Sequence, residues 1–182
     1  MNIFLVRHGE AAAHWHEADD PGLSERGRQQ AAASARDLLA RIEPGVRLLS
    51  SPLLRARQTA EPLAEALDAE VTIAEPFREL PAPVPRAERQ TWLNAIARQT
   101  WGEQDPLVRD WHAALLARLR QIREPTVVFT HFMVLNAIVG TLQADDRVVC
   151  FLPDNASVTT LAGSGEALRL IELGRQFRTR VN

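Results

Sequence analysis

The apolar run Ile3-Phe4-Leu5-Val6 passes without a spacer into Arg7-His8-Gly9-Glu10, so a guanidinium and an imidazole follow directly on a segment suited to burial. Open α/β sheets hold their ligands at the carboxyl ends of their strands. A cation there calls for an anionic ligand, and a glycine lets the backbone approach it closely. The arrangement recurs twice. Ser50-Ser51-Pro52-Leu53-Leu54-Arg55-Ala56-Arg57-Gln58-Thr59-Ala60 follows a second apolar strand, and Val127-Val128-Phe129-Thr130-His131 forms a third strand ending in histidine. Three strand ends therefore bring two arginines and two histidines together. Taken singly, each has a plainer reading, because a lone histidine at a strand end is commonly a hydrogen-bonded structural residue.

The elements that position these residues follow from short apolar and β-branched runs, which predict strands over 3–6, 48–50, 71–74, 126–130, 148–151, 157–162 and 167–173. Helical patterns separate the earlier ones. Ser24 is suited to cap a helix that places Ala31, Ala35, Leu38, Leu39 and Ile42 on one face and ends near Pro44-Gly45. A second helix starts near Arg55 and carries Leu63, Ala64 and Leu67, with Pro62 implying a kink or a late start. Asp105-Pro106 opens a third, closed by Glu124-Pro125, and a fourth runs from about Met133 to Gly140. The last strands lie close together in sequence, which suggests antiparallel pairing added to a mostly parallel sheet. Residues 81–104, with Pro81-Ala82-Pro83-Val84-Pro85, Trp92 and Trp101, read either as a helical excursion over packed tryptophans or as a lid over a substrate.

The chain has 182 residues, 46% hydrophobic and 24% charged, which suits one globular domain over 1–182. All 21 of its Lys+Arg residues are arginine. The absence of lysine excludes P-loop, Schiff-base and protein-kinase chemistry. Arginine, in contrast, grips phosphate bidentately. A formal net charge of −2 gives no footprint for nucleic acid. The single Cys150, within Val148-Val149-Cys150-Phe151, permits no internal disulfide and reads as a core residue. The first apolar run is too short for a signal peptide, and no stretch approaches membrane-spanning length. A cytoplasmic protein with no membrane partner is expected.

With these motifs together, the chain resembles the histidine phosphatase superfamily, which includes cofactor-dependent phosphoglycerate mutases and small phosphomonoesterases. The resemblance covers the Arg-His-Gly-Glu start, Leu23-Ser24-Glu25-Arg26-Gly27 leading to Gln30-Ala31, the Ser-Pro-Leu-Leu-Arg-Ala-Arg-Gln-Thr-Ala block, Phe77-Arg78-Glu79-Leu80 and Thr130-His131. It implies a three-layer α/β/α sandwich with a mixed, mostly parallel sheet. It also implies hydrolysis of a phosphate ester, with His8 as nucleophile, Glu79 as proton donor, His131 in the catalytic group, and Arg7, Arg55 and His131 binding phosphate. Neither a cofactor nor a metal is required. The partner is then a small phosphorylated substrate or a phosphoprotein.

Two departures from the family pattern stand out. Phe132-Met133 follows the second histidine where relatives have small residues, and His14 stands where mutases have asparagine. Phe132 is expected to narrow the pocket, while His14 either donates to phosphate or is exposed. Glu79 has a plain alternative as a surface partner of Arg78. His14-Trp15-His16 with Glu17, Asp19 and Asp20 has the look of a metal cluster, but the pattern is common in loops and arginines already supply the charge. A mutase needs an extensive cap with more anion contacts, for which Arg86 and Arg89 are the nearby basic residues before Arg98. Mutase-type phosphotransfer, a phosphohistidine phosphatase and a non-catalytic phospho-ligand module remain the alternatives to a phosphomonoesterase.

Overall fold

The computed structural model describes residues 1–13 and 19–177. Six strands form one sheet: β1 (Asn2–Arg7), β2 (Arg47–Ser50), β3 (Val71–Ile73), β4 (Thr126–Thr130), β5 (Val158–Ala162) and β6 (Arg169–Glu172). Their order is β3-β2-β4-β1-β5-β6. The first four positions are parallel, and β5 and β6 are antiparallel additions. Five helices accompany the sheet: α1 (Glu25–Leu39), α2 (Leu54–Leu67), α3 (Arg89–Ile96), α4 (Pro106–Arg120) and α5 (Phe132–Gln143).

The alternation of side chains along a strand explains why both sheet faces are covered. Phe4 and Val6 of β1 join Val127 and Phe129 of β4 in a core with Ala35 and Leu38 of α1 and Ala60 and Leu63 of α2. Ile3, Leu5 and Val128 point the other way, into a core with Leu115 and Leu119 of α4 and Val134 and Ile138 of α5. The unbroken apolar runs of β1 and β4 are thus those of strands buried on both faces, in an α/β/α arrangement. Ser24 caps α1 as expected, its side chain accepting from Gly27 N–H at 3.0 Å. Pro62 lies inside an uninterrupted α2. Among the described residues, no helix is long and apolar enough to cross a membrane.

The strand expected over 148–151 does not form. β-branched residues gave the signal, but the backbone there finds its partners elsewhere. Oδ1 of the fully buried Asn136 accepts from Cys150 N–H at 2.8 Å and Phe151 N–H at 3.1 Å, while Val148 N–H donates to Gln99 O at 2.9 Å. A side chain of α5 therefore replaces a neighbouring strand, and Cys150 is only half-buried. The last strand is also shorter than 167–173, because 165–167 form a 3-10 turn. Residues 81–104 contain a 3-10 turn at Arg86–Glu88, then α3 and another 3-10 turn at Trp101–Glu103. Trp101 is buried and stacks on His112 of α4 with centroids 4.4 Å apart.

Asn136→Ala removes one acceptor from two backbone donors and should cost about 2–3 kcal/mol, since buried donors left without partners carry the full desolvation penalty. Urea denaturation should show this loss, and Asn136→Asp should not restore it, because its second carboxyl oxygen would face Phe132 O, to which Asn136 Nδ2 donates at 3.0 Å. An unchanged midpoint for the alanine variant would remove Asn136 from its bracing role.

Candidate active site

Three chain segments meet at the carboxyl edge of the sheet because their backbones are tied there. Arg7 is in register with Thr130, His8 N–H donates to Thr130 O at 2.9 Å, and Ser51 N–H donates to Phe129 O at 2.9 Å. The residues following β1, β2 and β4 consequently face one another. His8 and His131 have ring centroids 5.2 Å apart, and Arg55, on the first turn of α2, donates from Nε to His8 Nε2 at 3.2 Å. His8, Arg55 and His131 are all buried.

Hydrogen bonds fix the protonation of His8. Its Nδ1 lies 2.7 Å from Gly9 O, and a carbonyl only accepts, so Nδ1 carries the proton and Nε2 keeps its lone pair. Burial, reinforced by the Arg55 and Arg7 charges, holds the His8 imidazole well below the usual histidine range. His131 is lowered well too, first by burial and then by His8 and the same arginines. Both rings are neutral near pH 7.

The second tier was quoted in the sequence motifs but given no role. Ser51 Oγ lies 2.7 Å from His131 Nε2 and accepts from Leu53 N–H at 3.2 Å. Thr59 Oγ1 accepts from Gly9 N–H at 3.0 Å and donates to Arg55 O at 2.7 Å, joining the loop after β1 to α2. Their signal was available: short hydroxyl residues flanking Arg55 within one motif. Gly9 has a packing role that its sequence context does not reveal. A Cβ on Gly9 would stand 2.5 Å from Gly27 O, and one on Gly27 would stand 2.1 Å from Glu10 O. The two glycines let this loop touch the start of α1.

Arg7 donates from Nη1 to Pro153 O at 2.8 Å and its guanidinium carbon lies 5.3 Å from the centre of the Phe132 ring. Among the described residues, Arg7 Nε, Arg55 Nη1 and His131 Nδ1 are buried without a hydrogen-bond partner. Three nitrogens in this condition, clustered around His8, suit a ligand rich in acceptor oxygens. Burial works against the charges of both Arg7 and Arg55, and in each case Glu79 is the largest opposing influence.

Glu79 is half-buried at the cavity wall, and its Oε1 accepts from Leu80 N–H at 2.9 Å. A longer contact of 3.5 Å joins Oε2 to Met133 N–H. Thr130 Oγ1 donates to Phe77 O at 2.9 Å and so ties the approach to Glu79 to the end of β4. Desolvation raises the Glu79 carboxyl above its ordinary range, despite the backbone donors and Arg55. The alternative partner, Arg78, is engaged instead by Glu75 at 2.6 Å.

These groups open into a cavity of about 730 Å³ that is also lined by Phe132 and by four residues of the 81–104 segment, Gln90, Leu93, Asn94 and Ala97. His14 lies outside the described residues, as do His16 and Glu17 of the suspected metal cluster. Its two aspartates have other partners: Asp19 pairs with Arg86, and Asp20 Oδ1 accepts from Leu54 N–H at 2.8 Å and sits 4.0 Å from Arg55 Nη1.

A family model described as the histidine phosphatase superfamily, branch 1, matches residues 3–176. A probable phosphoglycerate mutase of Erwinia tasmaniensis is 28% identical over 167 residues, covering 78% of this chain and 74% of the relative. Among solved structures, a mycobacterial glucosyl-3-phosphoglycerate phosphatase in complex with inorganic phosphate is similar with a TM-score of 0.72 at 25% identity, over 96% of this chain and 97% of that one. A phosphoserine phosphatase from Entamoeba histolytica, in complex with 3-phosphoglyceric acid, shares the fold with a TM-score of 0.71 at 22% identity, over 96% and 97% of the two chains.

The neutral state of both imidazoles is directly measurable. In ¹⁵N-labelled protein, His8 and His131 should show neutral-ring nitrogen shifts at about pH 5.5, where an exposed histidine is mostly protonated. A charged ring on His8 at that pH would contradict the lone-pair assignment at Nε2.

Proposed function

Because the chain belongs to the histidine phosphatase superfamily, we propose that it is a phosphomonoesterase working through a phosphohistidine on His8. The observation that carries this reading is the His8 ring: its Nδ1 proton is committed to Gly9 O, and its Nε2 lone pair is held by Arg55. A monoester is nearly a dianion at neutral pH. Its phosphoryl oxygens draw the donors of Arg55 and Arg7 onto themselves, which offsets the charge and releases Nε2 for in-line attack on phosphorus. The forming P–N bond and the breaking P–O bond divide hydrolysis into two easier steps.

Alkoxide is too basic to leave unaided. Glu79, whose raised carboxyl keeps its proton to higher pH, gives that proton to the departing oxygen. The resulting carboxylate then takes a proton from water as the water attacks the phosphohistidine, restoring Glu79 and neutral His8 and yielding inorganic phosphate. His131 stays neutral, is oriented by Ser51, and directs Nδ1 at a phosphoryl oxygen. Two guanidinium groups supply the charge compensation, so the reaction is metal-independent. The whole chain acts as one domain, with 81–104 as the substrate lid and a small phosphate ester as the substrate.

His8→Ala should abolish turnover of an aryl phosphate without loss of fold, and wild-type activity should survive EDTA. Substantial residual turnover in the variant would remove the phosphohistidine step, and loss of activity to EDTA would remove metal independence.

Glu79→Gln should slow alkyl phosphates by about 10²-fold or more but aryl phosphates far less, because phenolates leave without full protonation. For the wild type, kcat/KM should fall as pH rises through the raised carboxyl pKa, since the acid form is the competent one. That alkaline limb should vanish in Glu79→Gln; its persistence would assign the limb to another group.

A further inference from the structure

The cavity around the proposed phosphate site has a largely apolar described lining. Its described lining holds two permanent cations, Arg7 and Arg55, and both already converge on His8 and the phosphoryl position. Glu10 and Glu79 line the same space, so no permanent cation among the described lining residues is left to meet a second anionic group. The apolar part of the lining includes Leu93 of α3 and Ala97 at its C-cap, Phe132 at the start of α5, and Val149, Leu152 and Phe177 from the irregular chain beyond it.

That wall is assembled by specific contacts. Phe177 N–H donates to Leu152 O at 3.1 Å, and Leu152 N–H donates to Gln176 Oε1 at 3.0 Å, which seats the end of the chain beside the 149–155 segment. Phe177 then comes within 6.5 Å of the Phe132 ring, centroid to centroid. The uncharged polar side chains of the described lining are the amides Gln90, Asn94 and Asn155, and Asn155 Oδ1 is buried without a hydrogen-bond partner among the described residues. An amide oxygen accepts from a hydroxyl, and none of the three amides carries the charge that offsets a carboxylate.

We infer that the leaving group is an uncharged alcohol with an apolar or aromatic body, and that this subsite discriminates against phosphate esters bearing a carboxylate. The inference rests on the phosphatase reading and narrows it to a substrate class. It separates this chain from relatives whose names specify phosphoglycerate or phosphoserine: their ligands carry a second anion, for which the described lining beyond Arg7 and Arg55 offers apolar contact and amides. A hydrophobic body gains from burial against Phe132, Leu152 and Phe177, whereas a carboxylate loses hydration without acquiring a counter-charge.

The test compares kcat/KM for 2-phenylethyl phosphate and 3-phosphoglycerate, two primary alkyl esters, using the full chain. The phenylethyl ester should be preferred by about tenfold or more, the scale at which a hydrophobic pocket discriminates. Leu93→Arg, which adds a cation to the apolar wall, should shift the ratio toward 3-phosphoglycerate, with an unchanged urea midpoint showing that the variant is folded; an unshifted ratio in the folded variant would overturn the inference. Equal efficiencies, or a preference for 3-phosphoglycerate in the wild type, would overturn the inference while leaving the phosphatase reading in place. Hydrolysis of neither ester, nor of an aryl phosphate, would overturn both.

Discussion

Placing two guanidinium groups and two imidazoles at one buried sheet edge is electrostatically adverse, and the surrounding structure is organised to tolerate it. The bond from Arg55 to His8 is central. It satisfies a buried donor with the lone pair of a ring that burial keeps neutral, so two groups that would repel as cations become partners. Thr59 fixes the turn of α2 that carries Arg55 and also holds the backbone at Gly9. The parallel pairing of β1 with β4 supplies the remaining constraint, because it sets His8 beside Thr130 and brings His131 across from it.

Desolvation also sets the state of Glu79, whose carboxyl is raised above its ordinary range although it stands near two arginines. Those arginines favour its ionised form, but desolvation at the cavity wall outweighs them. A carboxyl in water would have shed its proton well below neutrality. Its placement depends on residues remote from it in sequence: Thr130 holds Phe77 O, and the N-terminus of α5 lies against Oε2. The element that carries His131 thus also positions the carboxyl group.

Much of this was legible before the structure. β1 and β4 announced themselves as doubly buried strands by unbroken apolar runs, and the cap at Ser24 located the start of α1, although the helix ends at Leu39, short of the expected Pro44-Gly45. The charged residues at those strand ends were readable because nothing else in a buried segment requires them. The misreading at 148–151 has a definite cause. Val148 and Val149 have the composition of a strand, and only the tertiary position of Asn136, fourteen residues from Cys150 in sequence, reveals that a side chain satisfies that backbone. Gly9 was similarly ambiguous. A glycine beside a histidine suits ligand approach, and its contact with Gly27 depends on how α1 returns to β1. Ser51 and Thr59 lacked a role for the same reason, since their partners are distant in the chain.

The contact between Gly9 and Gly27 bears on how this chain can change over time. Ala11 bridges Leu23, and Ala12 N–H donates to Gly22 O at 2.8 Å, so the chain closes into a neck at 11–12 and 22–23. The returning side of that neck is tied to the reacting groups, since Asp20 Oδ1 accepts from Leu54 N–H and sits 4.0 Å from Arg55 Nη1. Bulk added at Gly9 or Gly27 would part the loop after β1 from the start of α1, so both positions stay glycine for as long as these two elements keep their spacing.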